Sequence, residues 1–454
     1  MNGALKVIID IVSTPAILVS LIAILGNVLQ KKSFTNVVVG GIKTFVGFLV
    51  VTSGADIIVS SISPFGDLFK HVFHMQGVVP NNEAIISVAL KQYGTTTALI
   101  MLAGMIFNIL VARFTKFKYI FLTGHHTLYL ACMFAVIMSV AGFSTVPLIL
   151  VGGLALGICM AVFPSIVHKY VVQLTGNDGV ALGHFSSVGY WLSGFIGEKI
   201  GDKSKSTEDI QFPKSIAFLR DSTVSIALSM ILFYVVVICF ANPVWIMKNL
   251  SDGKNPFIWA IVKGGTFAAG VTVILTGVRM ILNEIVPAFK GISEKLVPNS
   301  KPALDCPIVY PYAPNAVLIG FISSFIGGLV SMAIMIASGT VVVLPGVVPH
   351  FFCGATAGVI GNASGGVRGS VIGSFCQGIL ISFLPIFLMP VLGNLGFQGS
   401  TFSDADFGVS GIYLGTLAKH GGTMAVTIGV IVVLAVMFVL TFLGKNKTSK
   451  NVNK

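Results

Sequence analysis

Polar and ionisable side chains lie at four places within apolar stretches of this chain, where burying them is costly and a functional role is the default hypothesis. They are His125 with His126, His184, Asp305, and Asn82 with Glu83. Neutral imidazoles donate and accept hydrogen bonds and carboxylates accept them, so the set suits a hydroxyl-rich ligand or, with protonated histidines, an anion. No Ser/His/Asp signature and no phosphate loop is present, so nothing predicts catalysis by this chain alone.

Each of these groups also has a structural interpretation. The histidine pair could be hydrated at a membrane interface, and His184 could pack within a hairpin beside Tyr190 and Trp191. Asp305 could cap a broken helix, and Glu83 could be a solvated loop acid. Aromatic rings beside one polar donor suit a sugar-like ligand, however. The sequence leaves both interpretations open at each place.

The elements that position these residues must be membrane helices. The chain has 454 residues, of which 55% are hydrophobic and only 10% are charged, and its mean hydropathy is +0.94. Such a composition provides too little polar surface for a water-soluble globule, and no barrel-like alternation is seen. The net charge of +12 comes from lysines and arginines at the ends of apolar runs, which indicates membrane topology and not nucleic-acid binding. The scattered cysteines predict neither a disulfide framework nor a zinc site, and no cofactor is expected.

Apolar runs predict an all-α polytopic membrane protein with about eleven transmembrane helices. The basic tail after Phe442 places the C-terminus in the cytoplasm, and an odd number of spans then places the N-terminus outside. The first run lacks a signal-peptide cleavage pattern and predicts a retained span. The runs lie near residues 7 to 29, 37 to 62, 95 to 112, 119 to 142, 145 to 168, 222 to 242, 257 to 285, 315 to 338, 341 to 360, 368 to 392 and 424 to 444.

Three segments, 76 to 94, 177 to 200 and 397 to 420, are too polar or too short to span simply and predict re-entrant hairpins or loops. Irregular backbone at membrane depth is tolerated where protein or a wet cavity surrounds it, which indicates a substrate path. The predicted organisation is a first membrane repeat with hairpins, a charged linker, a second, inverted repeat, and a last helix with a basic tail. These units cover residues 1–200, 201–214, 215–423 and 424–454.

A short internal repeat is the basis of that division. Residues 41 to 64 recur at an offset of 223 with seven identities in 24 positions. On the count of spans, the second span is repeated by the seventh, which reverses its direction across the membrane. Inverted repeats commonly enclose a substrate site between two halves near the bilayer midplane. Extending the same offset places Asn82 on Asp305. The identities are Gly41, Gly47, Val50, Gly54, Ile58, Ile62 and Pro64, matched by Gly264, Gly270, Val273, Gly277, Ile281, Ile285 and Pro287.

Seven sequence motifs spread over nearly the whole chain carry a family resemblance. They are GGIKTFVGF at 40 to 48, IFLTGH at 120 to 125, LGH at 182 to 184, GVRMILNEIVPAFKGIS at 277 to 293, LVPNSKPALDC at 296 to 306, YAPNAV at 312 to 317 and LPGVVPHFF at 344 to 352. With these motifs the chain resembles the ascorbate-specific permease subunit, component IIC, of the bacterial phosphoenolpyruvate-dependent phosphotransferase system (PTS).

The resemblance implies an eleven-span homodimer in the bacterial cell membrane that takes up L-ascorbate, or a closely related sugar acid, by an elevator-like movement. It implies phosphorylation of the substrate by a separate IIB protein that a separate IIA protein charges, with no phosphoryl-carrying residue in this chain. His125, His184 and Asp305 occupy matching ligand positions with the family's residue types.

The predicted pocket departs from the family pattern at four positions. Tyr129 and Phe185 stand where characterised members carry glutamine, and Asn82 and Glu83 stand where they carry threonine and tyrosine. A carboxylate at Glu83 would repel an anion unless it were protonated or turned away. The departures suggest a pocket that relies more on stacking, for ascorbate, another sugar acid or a polyol. The predicted pocket is completed by His126, Thr127 and Leu128.

Two other functions compete with this one. An ion-coupled secondary transporter of a sugar acid or polyol would use the same repeat, with Asp305 as an ion or proton site. A membrane-embedded enzyme would bind a metal through His125, His184 and Asp305, although their scattered placement and the lack of an HExxH motif argue against it.

Overall fold

A computed structural model describes residues 14–75, 77–210, 218, 221–396 and 399–452. The start of the predicted first span, the end of the predicted charged linker and the first positions of the first and third predicted hairpins lie outside these ranges. The helices are α1 (Pro15–Leu29), α2 (Phe34–Phe73), α3 (Asn82–Phe114), α4 (Gly124–Val140), α5 (Thr145–Thr175), α6 (Ser187–Ile200), α7 (Ser222–Cys239), α8 (Pro243–Asn249), α9 (Pro256–Leu296), α10 (Pro314–Ser338), α11 (Val347–Leu388) and α12 (Ala405–Val452).

Seven of the described helices are long and apolar enough to cross a membrane: α2, α3, α5, α9, α10, α11 and α12. An eighth span results if α7 and α8, which meet at 119°, are counted as one bent element. The chain is therefore a mostly helical, multi-pass membrane protein. The prediction of a helix from 119 to 142 is wrong at its start. Residues 119–121 form a strand, and α4 begins only at Gly124.

Two of the long helices reverse direction at glycines. In α11 the backbone leaves helical geometry at Gly365 and Gly366, and in α12 it does so at Gly422, where φ is +58°. A positive φ of this kind favours glycine because it has no Cβ. Beyond Gly422 the chain folds back far enough for the Tyr413 hydroxyl to donate to the carbonyl oxygen of Gly429 at 3.1 Å. These reversals separate the two apolar runs within α11 and set the start of the last run.

Among the described residues, six short strands form two small parallel sheets, which the sequence did not predict. The strands are β1 (Gly77–Pro80), β2 (Tyr119–Phe121), β3 (Ala181–Leu182), β4 (Lys301–Leu304), β5 (Val342–Val343) and β6 (Ser400–Thr401). One sheet has the order β5-β1-β6 and the other β2-β4-β3. Parallel sheets are normally covered on both faces, and most of these strand residues are buried. The three predicted hairpin segments each contain one strand followed by a helix.

The strand order of one sheet becomes that of the other when each strand of the first half of the chain is exchanged for its counterpart in the second half. Replacing β1, β2 and β3 by β4, β5 and β6 turns the order β5-β1-β6 into β2-β4-β3. The matching strands begin at 77 and 301, at 119 and 342, and at 181 and 400. The first two of these pairs reproduce the offset of the sequence repeat to within one position, and the third departs from it by a few positions.

The two helices that carry the sequence repeat, α2 and α9, pack directly against each other. A methyl group at Gly277 would lie 2.5 Å from the carbonyl oxygen of Gly47, and one at Gly54 would lie 2.6 Å from the Ile274 side chain. Later positions of α2 therefore meet earlier positions of α9, so the helices run antiparallel. Small residues allow this close approach of two backbones within a membrane.

The contacts between α2 and α9 are also reciprocal. Gly47 lies against Ile281, and the two positions that the repeat offset relates to this pair, Gly270 and Ile58, lie against each other as well. When two contacts are related in this way by the repeat, the interface has approximate twofold symmetry.

Gly277→Ala is expected to destabilise the protein, because the added methyl group would overlap the backbone of α2. Overpacking of this kind costs about 1–3 kcal/mol. Gly265→Ala, in the same helix with no atom within 4 Å of the added methyl, is the matched control and should stabilise by up to about 1 kcal/mol through helix propensity. Thermal unfolding of the purified protein checks both, and an unchanged midpoint for Gly277→Ala would contradict the packing.

Candidate functional site

A polar cavity lies at the carboxyl ends of the two parallel sheets. Open parallel sheets commonly bind ligands at that edge, because the loops that leave the strands converge there. Each strand is followed shortly by a residue that lines the cavity: Glu83 after β1, His125 after β2, His184 after β3, Asp305 after β4, Val348 after β5 and Asp404 after β6. The short strands therefore explain how residues distant in sequence meet at one place.

The cavity has a volume of about 180 Å³, enough for several water molecules or a small ligand. One wall comes from the strand ends and carries most of the polar groups. The other wall comes from α9 and consists of Leu275, Val278, Leu282 and one charged residue, Arg279. The polar groups of the first wall are Asn82, Glu83, His125, His126, Tyr129, His184, Asp305 and Asp404.

Asp305 both caps a turn and faces the cavity, so its structural and its functional interpretation both apply. One carboxylate oxygen, Oδ1, accepts a hydrogen bond from the backbone N–H of Cys306 at 2.7 Å and caps a short 3-10 turn. The other, Oδ2, lies 3.5 Å from Nε2 of His125. That separation is too long for a good hydrogen bond but short enough for one ligand hydroxyl to contact both groups. The cap fixes the carboxylate and leaves one oxygen for the cavity.

Cys306, next to Asp305 in the chain, is not suited to act as a nucleophile. Burial raises the pKa of its thiol well above the ordinary value, and the charge of Asp305 raises it further. Since the thiolate is the reactive form of cysteine, a thiol in this environment stays protonated and inert.

Asp404 is also held in place by hydrogen bonds. Its Oδ1 accepts hydrogen bonds from the side-chain amide of Asn82 at 3.0 Å and from the Ser403 hydroxyl at 2.8 Å. Its Oδ2 lies 3.8 Å from Nδ1 of His126, whose ring stacks on Phe407 with an interplanar angle of 7°. Both Asp404 and His126 are more than nine-tenths buried, so neither can rotate freely into solvent.

His184 is fixed by the start of α6. Its Nδ1 lies 2.6 Å from the Tyr190 hydroxyl, which leaves the other ring nitrogen for a further contact. The buried carboxylate of Asp406 accepts the backbone N–H groups of Ser187 at 2.8 Å and of Val188 at 2.9 Å. An acceptor at a helix N-terminus satisfies donors that the helix itself cannot. Asp406 therefore ties the loop that carries His184 to the start of α12.

Three buried polar atoms of cavity-lining residues make no hydrogen bond of standard geometry among the described residues, although the Glu83 carboxylate and the Tyr129 hydroxyl lie close enough to interact with each other. They are Oε2 of Glu83, Nδ1 of His126 and the hydroxyl of Tyr129. Buried polar groups are nearly always paired, and leaving one unpaired costs about 1–3 kcal/mol. Their convergence on one cavity is the arrangement expected where a hydroxyl-rich ligand supplies the missing partners.

Most of the residues predicted from the sequence line the cavity, and three lie outside its lining. Phe185 is fully buried and stacks on Phe121 at a centroid distance of 4.4 Å. Thr127 donates its hydroxyl to a backbone carbonyl one turn earlier, and Leu128 faces a separate apolar cavity. The seven that line it are Asn82, Glu83, His125, His126, Tyr129, His184 and Asp305.

Sequence reasoning missed Asp404 and Arg279 as site residues. Asp404 stood within the third predicted hairpin as an acid in apolar surroundings, a signal that was available. Arg279 stood within a motif that was used only for the family resemblance.

Groups in and beside the cavity could hold a metal ion. His126, His184 and Asp404, all buried, bring one ligand atom each within 4.8 Å of one another. Two further sets combine Asp305 with His125 and His126, or with His184 and Cys306. The trio of the metal-enzyme hypothesis, His125, His184 and Asp305, is not among the sets found in the described residues.

A larger recess of about 510 Å³ is lined by Lys91, Gln92 and Tyr93 of α3 and by residues near Asn394. Its lining includes no histidine and no carboxylate. The cavity at the strand ends is therefore the better candidate for specific recognition.

Apolar helices that surround a polar cavity with intramembrane histidines and carboxylates define a membrane transport protein. The sequence model of the EIIC-GAT family, the PTS system sugar-specific permease component, matches residues 10–406. The chain belongs to this family, as the motif resemblance predicted. It is also similar to the ascorbate-specific PTS system EIIC component of Mycoplasma pneumoniae (strain ATCC 29342 / M129 / Subtype 1), with 27% identity over 444 residues that cover 86% of this chain and 67% of the relative. Family membership implies a sugar substrate, a membrane setting and IIA and IIB partner proteins in general.

Proposed function

We propose that this chain is a PTS IIC permease that binds L-ascorbate, or a closely related sugar acid, from outside and releases it for phosphorylation by a separate IIB protein. The observation that carries the proposal is the convergence of Glu83 Oε2, His126 Nδ1 and the Tyr129 hydroxyl on one cavity, where none of the three makes a hydrogen bond of standard geometry among the described residues. Each ligand hydroxyl can donate to a carboxylate or an imidazole nitrogen and accept from the phenol. The similarity to an ascorbate-specific permease supports the substrate class.

The proposed movement is elevator-like, with the wall of strand ends sliding past the wall formed by α9. The contrast between the two walls supports this division, because the α9 wall contributes only one charged group to the cavity. Few polar contacts would therefore break as the walls move, and apolar surfaces slide without leaving unpaired hydrogen-bonding groups.

The proposed architecture is two inverted five-helix repeats and a last helix, with eleven spans, the N-terminus outside and the C-terminus inside. The antiparallel packing of α2 against α9 and the exchangeable sheets support the inversion. Each predicted apolar run overlaps a described helix once the reversals in α11 and α12 are counted, whereas α6 and α8 have no run of their own. The proposal also keeps the homodimer that the family resemblance implies.

Glu83→Gln is expected to weaken the binding of a sugar acid by about threefold to tenfold. The carboxylate accepts ligand hydroxyls as a charged acceptor, and the neutral amide oxygen that replaces it is the weaker acceptor of the two. Affinity for L-ascorbate, measured by isothermal titration calorimetry, checks the change. Tighter binding would show that the charge of Glu83 mainly repels the anion and would remove Glu83 from the proposed hydroxyl contacts.

The function is tested by supplying labelled L-ascorbate to membrane vesicles that contain the protein, together with phosphoenolpyruvate and the soluble phosphotransferase partners. The proposal predicts ascorbate phosphate inside, formed only when phosphoenolpyruvate and both partners are present. Accumulation of unmodified ascorbate that an uncoupler abolishes would contradict it and would favour the ion-coupled transporter. A vesicle without the protein is the control for leakage.

A further inference from the structure

Arg279 is the only charged side chain that α9 contributes to the lining of the cavity. Its neighbours on that wall, Leu275, Val278 and Leu282, are apolar. It belongs to a helix that is long and apolar enough to span the membrane, and the residue is exposed in the single chain. A cation within such a helix is costly unless it pairs or faces a polar cavity, so the position of Arg279 in the cavity lining is the feature to explain.

No described carboxylate lies within 4.0 Å of the Arg279 guanidinium, so no described group neutralises it by a direct ion pair. The three carboxylates of the cavity have partners elsewhere: Asp305 faces His125, Asp404 is held by Asn82 and lies near His126, and Glu83 interacts with Tyr129. The guanidinium is thus left for a group that enters between the two walls.

The equivalent position in the first repeat copy is used differently. The repeat offset relates Arg279 to Asp56, whose carboxylate is paired with the Lys91 ammonium at 2.6 Å. One member of the related pair is neutralised within the protein and the other is not. The two related positions therefore carry opposite charges in different surroundings, and the repeat itself supplies no partner for Arg279 among the described residues.

We propose that Arg279 selects an anionic substrate. Its guanidinium binds the negatively charged oxygens of a sugar acid, while the hydroxyls of the same molecule bind Asp305 and His125 on the opposite wall. Guanidinium groups suit this role because they stay charged and can donate two parallel hydrogen bonds to an anion. The inference rests on the proposed permease function and adds the reason for charge selection. It also makes the substrate the link between the two walls.

Binding of a charged and an uncharged probe to the purified full-length protein tests the proposal. The probes are L-ascorbate and L-gulono-1,4-lactone, an uncharged lactone with a similar ring and hydroxyl groups. Arg279→Gln should weaken ascorbate binding by about tenfold or more, the value of a charged hydrogen bond, and change lactone binding by less than about twofold. Lys263→Gln is the matched control, since it removes a positive charge from the same helix away from the cavity, where the ammonium contacts the backbone of Ser60.

Each outcome decides between the alternatives. An equal loss for both probes would assign Arg279 a structural role and overturn the proposal. Tighter binding of the lactone than of ascorbate by the wild-type protein would overturn charge selection and leave a permease for uncharged sugars. Binding of neither probe by the wild type would overturn the proposed substrate class and this inference together.

If Arg279→Gln does not fold, Arg279→Lys replaces it, because lysine keeps the charge but loses the paired donors. Its ascorbate affinity should then fall by about threefold to tenfold, and unchanged affinity would contradict the pairing.

Discussion

Asp305→Asn is expected to weaken substrate binding by about tenfold or more. The carboxylate oxygen that faces His125 would lose the charge that accepts ligand hydroxyls, and hydrogen bonds to charged groups contribute about 1.5–3 kcal/mol. The fold should persist, because the asparagine side-chain oxygen can still accept from the backbone N–H of Cys306. The affinity of the purified variant for L-ascorbate, with its thermal midpoint recorded in parallel, measures the effect.

Asp221→Asn is the matched control for that substitution. Asp221 is exposed and caps α7 by accepting from Val224 at 3.0 Å, far in sequence from any cavity residue. Its replacement should leave ligand affinity unchanged. Unaltered affinity in Asp305→Asn itself would remove Asp305 from the binding site and reduce it to a cap of the turn at Cys306.

Asp406→Ala is expected to destabilise the protein by about 3 kcal/mol or more and to abolish measurable substrate binding. The change leaves the buried N–H groups of Ser187 and Val188 without their acceptor, and each unsatisfied donor costs about 1–3 kcal/mol. Because α6 begins there, the loop that carries His184 would also lose its position. Thermal unfolding and ligand affinity of the same preparation measure the two effects.

The comparison with Asp221→Ala separates this effect from ordinary helix capping. An exposed cap is worth about 1 kcal/mol, so Asp221→Ala should lower the midpoint less and leave binding intact. Asp406→Asn, which keeps one acceptor, should fall between the wild type and Asp406→Ala. Equal midpoints for Asp406→Ala and Asp221→Ala would show that the buried carboxylate does not hold the two segments together.

The sequence predicts the helices well and the strands not at all. Apolar runs of membrane length are a strong local signal, and the glycines of the repeat mark the place where α2 and α9 pack. The strands are too short to carry a periodic pattern, and their pairing joins segments from opposite halves of the chain. The three segments predicted as hairpins each contain a strand and the start of a helix, and the pairing of those strands could not be predicted from the sequence.

In the candidate site, too, some residues could be predicted from the sequence and others are placed only by long-range packing. His125, His184 and Asp305 could be predicted because ionisable residues in apolar surroundings are rare and because their motifs match a family. Leu128 was included by adjacency in the sequence, and Phe185 because it stands where the family carries glutamine, but both side chains lie outside the cavity lining. Arg279 was missed because only the packing of α9 against the strand ends brings it to the site.

A structure of the protein determined with L-ascorbate bound tests the central claim most directly. The account predicts ligand density in the cavity at the strand ends, with hydroxyl oxygens within hydrogen-bond distance of Glu83 Oε2, His126 Nδ1 and Asp305 Oδ2. Density in the recess beside Lys91, with no ligand atom near these three atoms, would contradict the assignment of the cavity as the substrate site.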